Sequence, residues 1–493
     1  MTSRNIRQLG VAGALLAFTL SAQAHTPVID FNGDGYTDLA VAAPNATVNG
    51  MVQAGSVTVF YGPFGLSTQS QLWTKQDSHV PGEAEPYDHF GQALVTGDFN
   101  GDRYTDLAIG VPSHPHIDGI PDDQGSVIVL YGSSLGLVGT HNFCGNPCPP
   151  PPNIFRMPVT QTGDLFGSAL VAADFNGDRF PDLAIGAPGS NYSGPNHSGA
   201  VRVFYGSPTG LTETNARLLR PGDFDDGGWF GFSLAAGFFN YGTAADLAVG
   251  SASGSGSVRV FYGSSSGFSS PQQWDAGDTN FPLGGASNYF GWSLAAGRFR
   301  DGNYDDLAIG IPGATVDGNS FAGAVIVLAG SSSGLTNTGS SFWSLSVSGV
   351  PGDPEPYGYF GMSLANGNLG FDFHEDLAIG APGCTAPGAI AAAGCVVTLY
   401  GTPAGLSAIS STQLFHQTPQ QNAHFGEALA AASLGGTASY VDLAVGSPFW
   451  DIGASKDAGL VSIHYGSVNG PTTLNWAHGV LENGAHFGAA LSR

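Results

Sequence analysis

DFNGDRFPDLAIGAP, residues 174–188, sets the pattern for the whole chain. Its second half recurs seven times: Asp-Leu-Ala followed by Ile or Val begins at Asp38, Asp106, Asp182, Asp246, Asp306, Asp376 and Asp442. Successive copies lie 68, 76, 64, 60, 70 and 66 residues apart, a period that signals stacked copies of one structural unit. Six copies run on through Gly, as in AIGVP, AIGAP and AVGSP, while the first reads AVAAP. A second phrase, Phe-Gly followed by Ser or Ala and Leu, begins at Phe90, Phe166, Phe230, Phe290, Phe360, Phe425 and Phe487.

Each unit reads as four short strands. The third, as in SVTVFYG or AVRVFYG, alternates apolar with small or polar residues, which predicts a strand with one face buried more deeply. A Gly-Ser/Thr-x-x-Gly-Leu turn follows in most copies, then a short run with one bulky residue: Trp73, Phe155, Leu218, Trp274, Trp343, Phe415 or Trp476. Four antiparallel strands repeated seven times predict an all-β, seven-bladed β-propeller. Unit one starts without a Phe-Gly strand, and HFGAALS near Arg493 has no loop after it. The C-terminal strand is therefore expected to pair beside the N-terminal strands and close the ring, removing the open edge.

These phrases resemble the FG-GAP repeat. Phe166-Gly167 with Gly186-Ala187-Pro188, and Phe360-Gly361 with Gly380-Ala381-Pro382, carry both halves of that name. The resemblance covers about residues 28–492. The family is best known from the seven-bladed propeller of integrin α subunits and also occurs in bacterial exported proteins. The resemblance implies calcium loops between the first two strands of several blades, and a role as a recognition or adhesion platform.

Three units carry DxNxDxxxD just before Leu-Ala: residues 30–38, 98–106 and 174–182. Calcium takes six to eight hard oxygen ligands, and alternating acids and amides in a tight loop aim oxygens at one centre. The expected ligands are Asp30, Asn32, Asp34, Asp38 and the Tyr36 carbonyl. In the second loop they are Asp98, Asn100, Asp102, Asp106 and the Tyr104 carbonyl. The third has Asp174, Asn176, Asp178, Asp182 and the Phe180 carbonyl. About three Ca²⁺ sites follow. The opening resembles an EF-hand, but strand-like Leu-Ala-Ile stands where a helix should start. The loops at 238–246 and 434–442 lack acids at positions 1 and 5, and 368–376 keeps only Asn368, Asp372 and Asp376. RFRDGNYDD at 298–306 puts arginines at positions 1 and 3, where a guanidinium could replace the ion and pair with Asp306. The terminal Asp is present in all seven units, which points to a structural bond within its own turn.

Of 493 residues 75 are Gly, 42% are hydrophobic and 11% are charged, too apolar for a disordered chain. A net charge of −24 repels nucleic acid and anionic lipid. Residues 1–24 read as a signal peptide: Arg4 and Arg7, the apolar run Val11–Leu20, then Ala22-Gln23-Ala24. Residues 25–493 read as a single propeller, secreted or periplasmic, with no segment long enough to insert in a membrane, and monomeric. Among the three pairings open to four cysteines, local disulfides Cys144–Cys148 and Cys384–Cys395 need the least rearrangement; a CxxxC redox site or half a zinc site is the alternative.

GSSSG at 263–267 and 330–334 formally matches a nucleophile elbow, but in a strand-to-strand turn rather than the required strand-to-helix turn. His114 with His116, the pairs Glu83/Glu85 and Asp353/Glu355, and the sequons at Asn45, Asn191 and Asn196 point to loops rather than catalysis. The chain therefore reads as a non-catalytic platform for a protein or glycan ligand. Candidate contacts are the loops His141–Gly163 and Cys384–Cys395, and the aromatics Tyr87, Trp229, Tyr289 and Tyr357. The alternative is a polysaccharide lyase or hydrolase on the same scaffold.

Overall fold

The computed structural model describes residues 29–486 apart from 64–68, 113–124, 140–152, 159–162, 192–196, 222–227, 280, 282–287, 371, 435–439, 472–475, 480–481 and 483. Its strands form seven sheets with no helix among the described residues. Six sheets have four strands in sequence order, each antiparallel to the next; the first has three. Blade three is representative, with strands Ala169–Ala173, Asp182–Ala187, Ala200–Tyr205 and Thr212–Leu219. The expected propeller is thus the observed fold. The strand expected to complete blade one lies outside the described residues, as do the signal segment and Cys144–Cys148.

The first strands of successive blades contact one another, so they are innermost, and the fourth strands lie outermost. Thr212–Leu219 is accordingly half-exposed, while Asp182–Ala187 is buried throughout. The third strand departs from its expected pattern. In Ser56–Tyr61 both alternating sets are buried, Ser56 and Thr58 included, because each sheet is covered by a neighbour on both faces. Alternation there does not separate inside from outside.

Apolar cores fill the seams between blades. One cluster joins Leu39, Val41 and Val57 of the first blade to Leu107 and Ile109 of the second, and also to Ala430, Ala444, Val461 and Ile463 of the seventh. The last blade therefore packs on the first and the ring is closed. Polar bonds cross the same seam: Asn45 Nδ2 lies 2.9 Å from His486 Nδ1, and the Thr47 N–H donates to Glu482 at 2.6 Å.

The two repeated phrases meet across the seams. A Cβ added to Gly186 of blade three would lie 2.0 Å from the carbonyl oxygen of Gly231, the Phe-Gly glycine of blade four. Gly110–Gly167, Gly310–Gly361 and Gly380–Gly426 repeat this contact at 2.1 Å. In the AVAAP unit the place belongs to Ala42, whose Cβ already faces Gly91. The Phe of every described phrase, Phe90 to Phe425, is buried, and the Phe230 N–H donates to the Ser198 carbonyl of the preceding blade at 3.2 Å. Beside it Gly199 (φ +82°) would put a Cβ 2.1 Å from the Phe230 oxygen, so only glycine fits.

Candidate functional site

The loops at 98–106 and 174–182 sit between the first and second strands of their blades, and the loop at 30–38 leads directly into Leu39–Ala43, the first described strand of its sheet. Their last residue is the anchor. Asp38, Asp106 and Asp182 are buried, and each carboxylate accepts two backbone N–H groups. Asp38 takes Phe31 N–H at 2.7 Å and Gly62 N–H at 2.9 Å; Asp106 takes Phe99 and Gly132 N–H at 2.8 and 2.9 Å; Asp182 takes Phe175 and Gly206 N–H at 2.8 and 2.9 Å. Asp246, Asp376 and Asp442 make the equivalent pair of bonds in loops without the acidic pattern. The terminal Asp therefore ties its own turn to the turn after strand three, which accounts for its presence in every unit.

The remaining side chains curl the loop onto itself. Asp30 accepts the N–H groups of Gly33, Asp34 and Gly35 at 2.6–3.1 Å, and Asn32 accepts that of Asp34 at 2.9 Å. Asp34 accepts the N–H of Tyr36 at 2.9 Å and also the Asn32 amide. Asp98, Asn100 and Asp102 hold the N–H groups of Arg103, Asp102 and Tyr104 in the same way. Asp174, Asn176 and Asp178 repeat the pattern with Gly177, Arg179 and Phe180. In this arrangement no group of three or more His, Cys, Asp or Glu side chains is gathered to hold a metal, among the described residues.

The donor set nonetheless fits a hard cation. Burial pushes the Asp38 carboxyl up to about 7, and Asp30 and Asp34 add to the rise; Asp182 is pushed up to about 8 by burial, with Asp178 and Asp174 adding. Positive charge beside these carboxylates would relieve that cost. Blade five carries such a charge in its own chain. Arg300 Nε lies 2.8 Å from Asp306 Oδ2, meeting the oxygen that elsewhere accepts a loop N–H. The arginine substitution anticipated at 298–306 is thus an ion pair at Arg300, while Arg298 turns to Asp305 at 3.7 Å.

Two features escaped the sequence reading. The position-7 aromatic covers the position-4 glycine of the loop before it: a Cβ on Gly33 would lie 2.6 Å from the Tyr104 ring, and one on Gly101 2.5 Å from that of Phe180. The residue before the terminal Asp also bonds the preceding loop. Thr105 Oγ1 accepts the Asp30 N–H at 3.0 Å, Asp305 accepts that of Phe238 at 2.8 Å and Glu375 that of Arg298 at 2.7 Å. The Gly at position 4 and the aromatic at position 7 were visible signals; the polar residue at position 8, present in only some units, was not.

The other candidates fall into structural places. Ser264 and Ser331 donate to the Gly267 and Gly334 carbonyls of their own turns, so GSSSG closes a strand-to-strand turn. Glu355 accepts from the Thr385 hydroxyl at 2.6 Å, beside the Cys384–Cys395 disulfide, which forms as expected with Cα atoms 5.7 Å apart. His114 and His116 lie outside the described residues.

The family model for the FG-GAP repeat matches residues 26–60, 90–130 and 166–204, the three units that carry the full acidic loop. The chain carries FG-GAP repeats. The FG-GAP chain is 32% identical over 218 residues to the phosphatidylinositol-glycan-specific phospholipase D of Homo sapiens, across 42% of its own length and 23% of the relative's. The Rattus norvegicus enzyme of the same name is 36% identical over 211 residues. Integrin alpha-PS2 of Drosophila melanogaster is 30% identical over 269 residues, 51% of this chain and 18% of the integrin. The FG-GAP chain thus spans less than a quarter of the length of these relatives, which include both integrins and enzymes.

Proposed function

We propose that this FG-GAP protein is an exported, calcium-binding recognition platform that performs no chemistry of its own. The carrying observation is the contrast between loops. Three blades offer Asp30, Asn32, Asp34 and Asp38 or their counterparts, and among the described residues no ion pair joins these acids to Arg103 or Arg179 of their own loops. Blade five, lacking those acids, supplies Arg300 to the same anchoring carboxylate. Asp30, Asp98 and Asp174 with their loop partners would hold Ca²⁺, whose charge would offset the crowded carboxylates. Binding to the folded state alone stabilises it by about 2.7 kcal/mol per site at a hundred times the dissociation constant. Modules with dissociation constants of ~10⁻⁴–10⁻³ M would load outside cells.

Export is supported by residues 1–24 and by the Cys384–Cys395 disulfide, which an oxidising compartment sustains. A Cys144–Cys148 bridge and a mature chain beginning at His25 are part of the same proposal, checked by mass spectrometry of the exported protein. No helix among the described residues is long and apolar enough to cross a membrane. Thermal melts test the metal: chelation should lower the melting temperature and added calcium restore it. Asp34→Ala, Asp102→Ala and Asp178→Ala together should remove the response. A wild-type melt indifferent to both treatments would overturn the calcium reading.

A further inference from the structure

Opposite the acidic loops, at the other end of the innermost strands, the residue before each Phe-Gly has a left-handed backbone. His89, Leu165, Trp229, Tyr289, Tyr359, His424 and His486 have φ between +49° and +59°. A bulky residue there costs about 1–3 kcal/mol, and the surrounding structure must hold it. The hold is visible: Trp229, Tyr289 and Tyr359 donate their N–H groups to His197, Gly254 and Phe321 of the preceding blade. The conformation belongs to the blade connection, while the side chain is set blade by blade. In blades four to six it is aromatic.

These rings join others into one line. Trp229 lies 6.1 Å from Phe232, which lies 4.8 Å from Trp292, which lies 5.5 Å from Tyr289. Tyr289 is 6.4 Å from Phe321, and Phe321 stacks on Tyr357 at 5.5 Å with 9° between planes. Tyr357 is 6.2 Å from Tyr359. Trp229 and Tyr357 are 41% and 56% exposed, Phe232 is buried and the other rings are half-buried, so the line reaches solvent at Trp229 and at Tyr357. A continuous line of rings that reaches the surface at two places marks a place where something binds.

We propose that this aromatic arc, across blades four to six, binds a neutral oligosaccharide; the inference rests on the platform reading and names its ligand class. Charge decides the class. The cation–ring contacts among the described residues, Arg202 on Phe204 and Arg259 on Phe230, involve none of these rings, and a chain of net charge −24 repels anionic polymers. Glu427, the acid that bears on Tyr359, has His424 Nδ1 at 3.3 Å, and Glu355 is engaged by Thr385. The nearby acids thus have partners inside the fold, and no cation–ring contact among the described residues occupies the arc. What remains is a ligand with apolar faces and a polar rim, the description of a pyranose. The ring faces meet its C–H surfaces, and the hydroxyls of Tyr289, Tyr357 and Tyr359 serve its rim. Rings held by a strained, hydrogen-bonded backbone lose little freedom on binding.

The test titrates the full chain, in millimolar calcium, with neutral hexasaccharides of glucose, mannose and N-acetylglucosamine, read by tryptophan fluorescence and calorimetry. Hexagalacturonate and octalysine serve as charged probes. At least one neutral hexasaccharide should bind, and Trp229→Ala and Tyr357→Ala should each weaken it about tenfold. Both variants change exposed rings, so their melts should match the wild type; Tyr241→Ala, 86% exposed and off the arc, should leave affinity unchanged. Sugar binding untouched by both arc variants would overturn the arc and leave the platform standing. Arc-dependent binding of octalysine alone would overturn the ligand class only. No binding of any neutral sugar would overturn the inference, and release of shortened sugar would sink the platform reading itself.

Discussion

Asp306 and Arg300 show how one residue can replace a function shared elsewhere with the backbone. Asp306 is 1% exposed and its guanidinium partner partly so. Removing one member of such a pair leaves a buried carboxylate whose other bond is the Gly330 N–H at 3.0 Å. Arg300→Met should cost about 2 kcal/mol, reduced from the fully buried case by solvent access. The double variant with Asp306→Asn should recover most of it, because the amide oxygen still accepts from Gly330. Urea melts of the two proteins check both statements. At this scale the sequence was informative: Arg300 and the recurring terminal Asp each stood at the position its role required. Orientation was not legible, since Asp30 and Asp34 face backbone N–H groups instead of converging.

Between elements, the seams decide what each strand can carry. Gly186 sits against the Gly231 backbone with no room for a methyl group, so Gly186→Val should destabilise by about 3 kcal/mol or more and lower the melting temperature without altering the disulfide. Glu375 spans another seam, accepting the Arg298 N–H at 2.7 Å while half-buried. Burial, with Asp305 adding, pushes its carboxyl from 4.5 up to about 7. The folded state therefore binds this proton more tightly than the unfolded one. Its stabilising contribution is full below about pH 4.5 and is lost as pH rises through about 7. Glu375→Gln keeps a neutral acceptor, so it should flatten the fall in stability between those values. Calcium-free denaturant melts at a series of pH values, wild type against variant, read the difference.

At the scale of the molecule, closure converts seven similar units into one body. The seam between blades seven and one is a hydrophobic cluster with a polar clasp in which the Asn45 amide bonds both His486 and His89, each at 2.9 Å. Asn45→Ala removes the group that both imidazoles bond and should cost about 1–3 kcal/mol. Hydrogen exchange should show the loss concentrated in blades one and seven. An even loss over all seven blades would contradict the clasp.

The sequence by itself determined the unit, its number, the order of its strands and the oxygen-rich loops. Those are properties of local spacing and of period, and period survives without knowing what touches what. Tertiary structure alone decided why Phe-Gly and Gly-Ala-Pro travel together, because their glycines meet only when one blade lies on the next. It alone gathered the aromatic line from three blades, since Trp229 and Tyr357 are far apart in the chain and joined only by the curvature of the ring. Contacts between units depend on the angle at which sheets stack, and no single repeat encodes that angle.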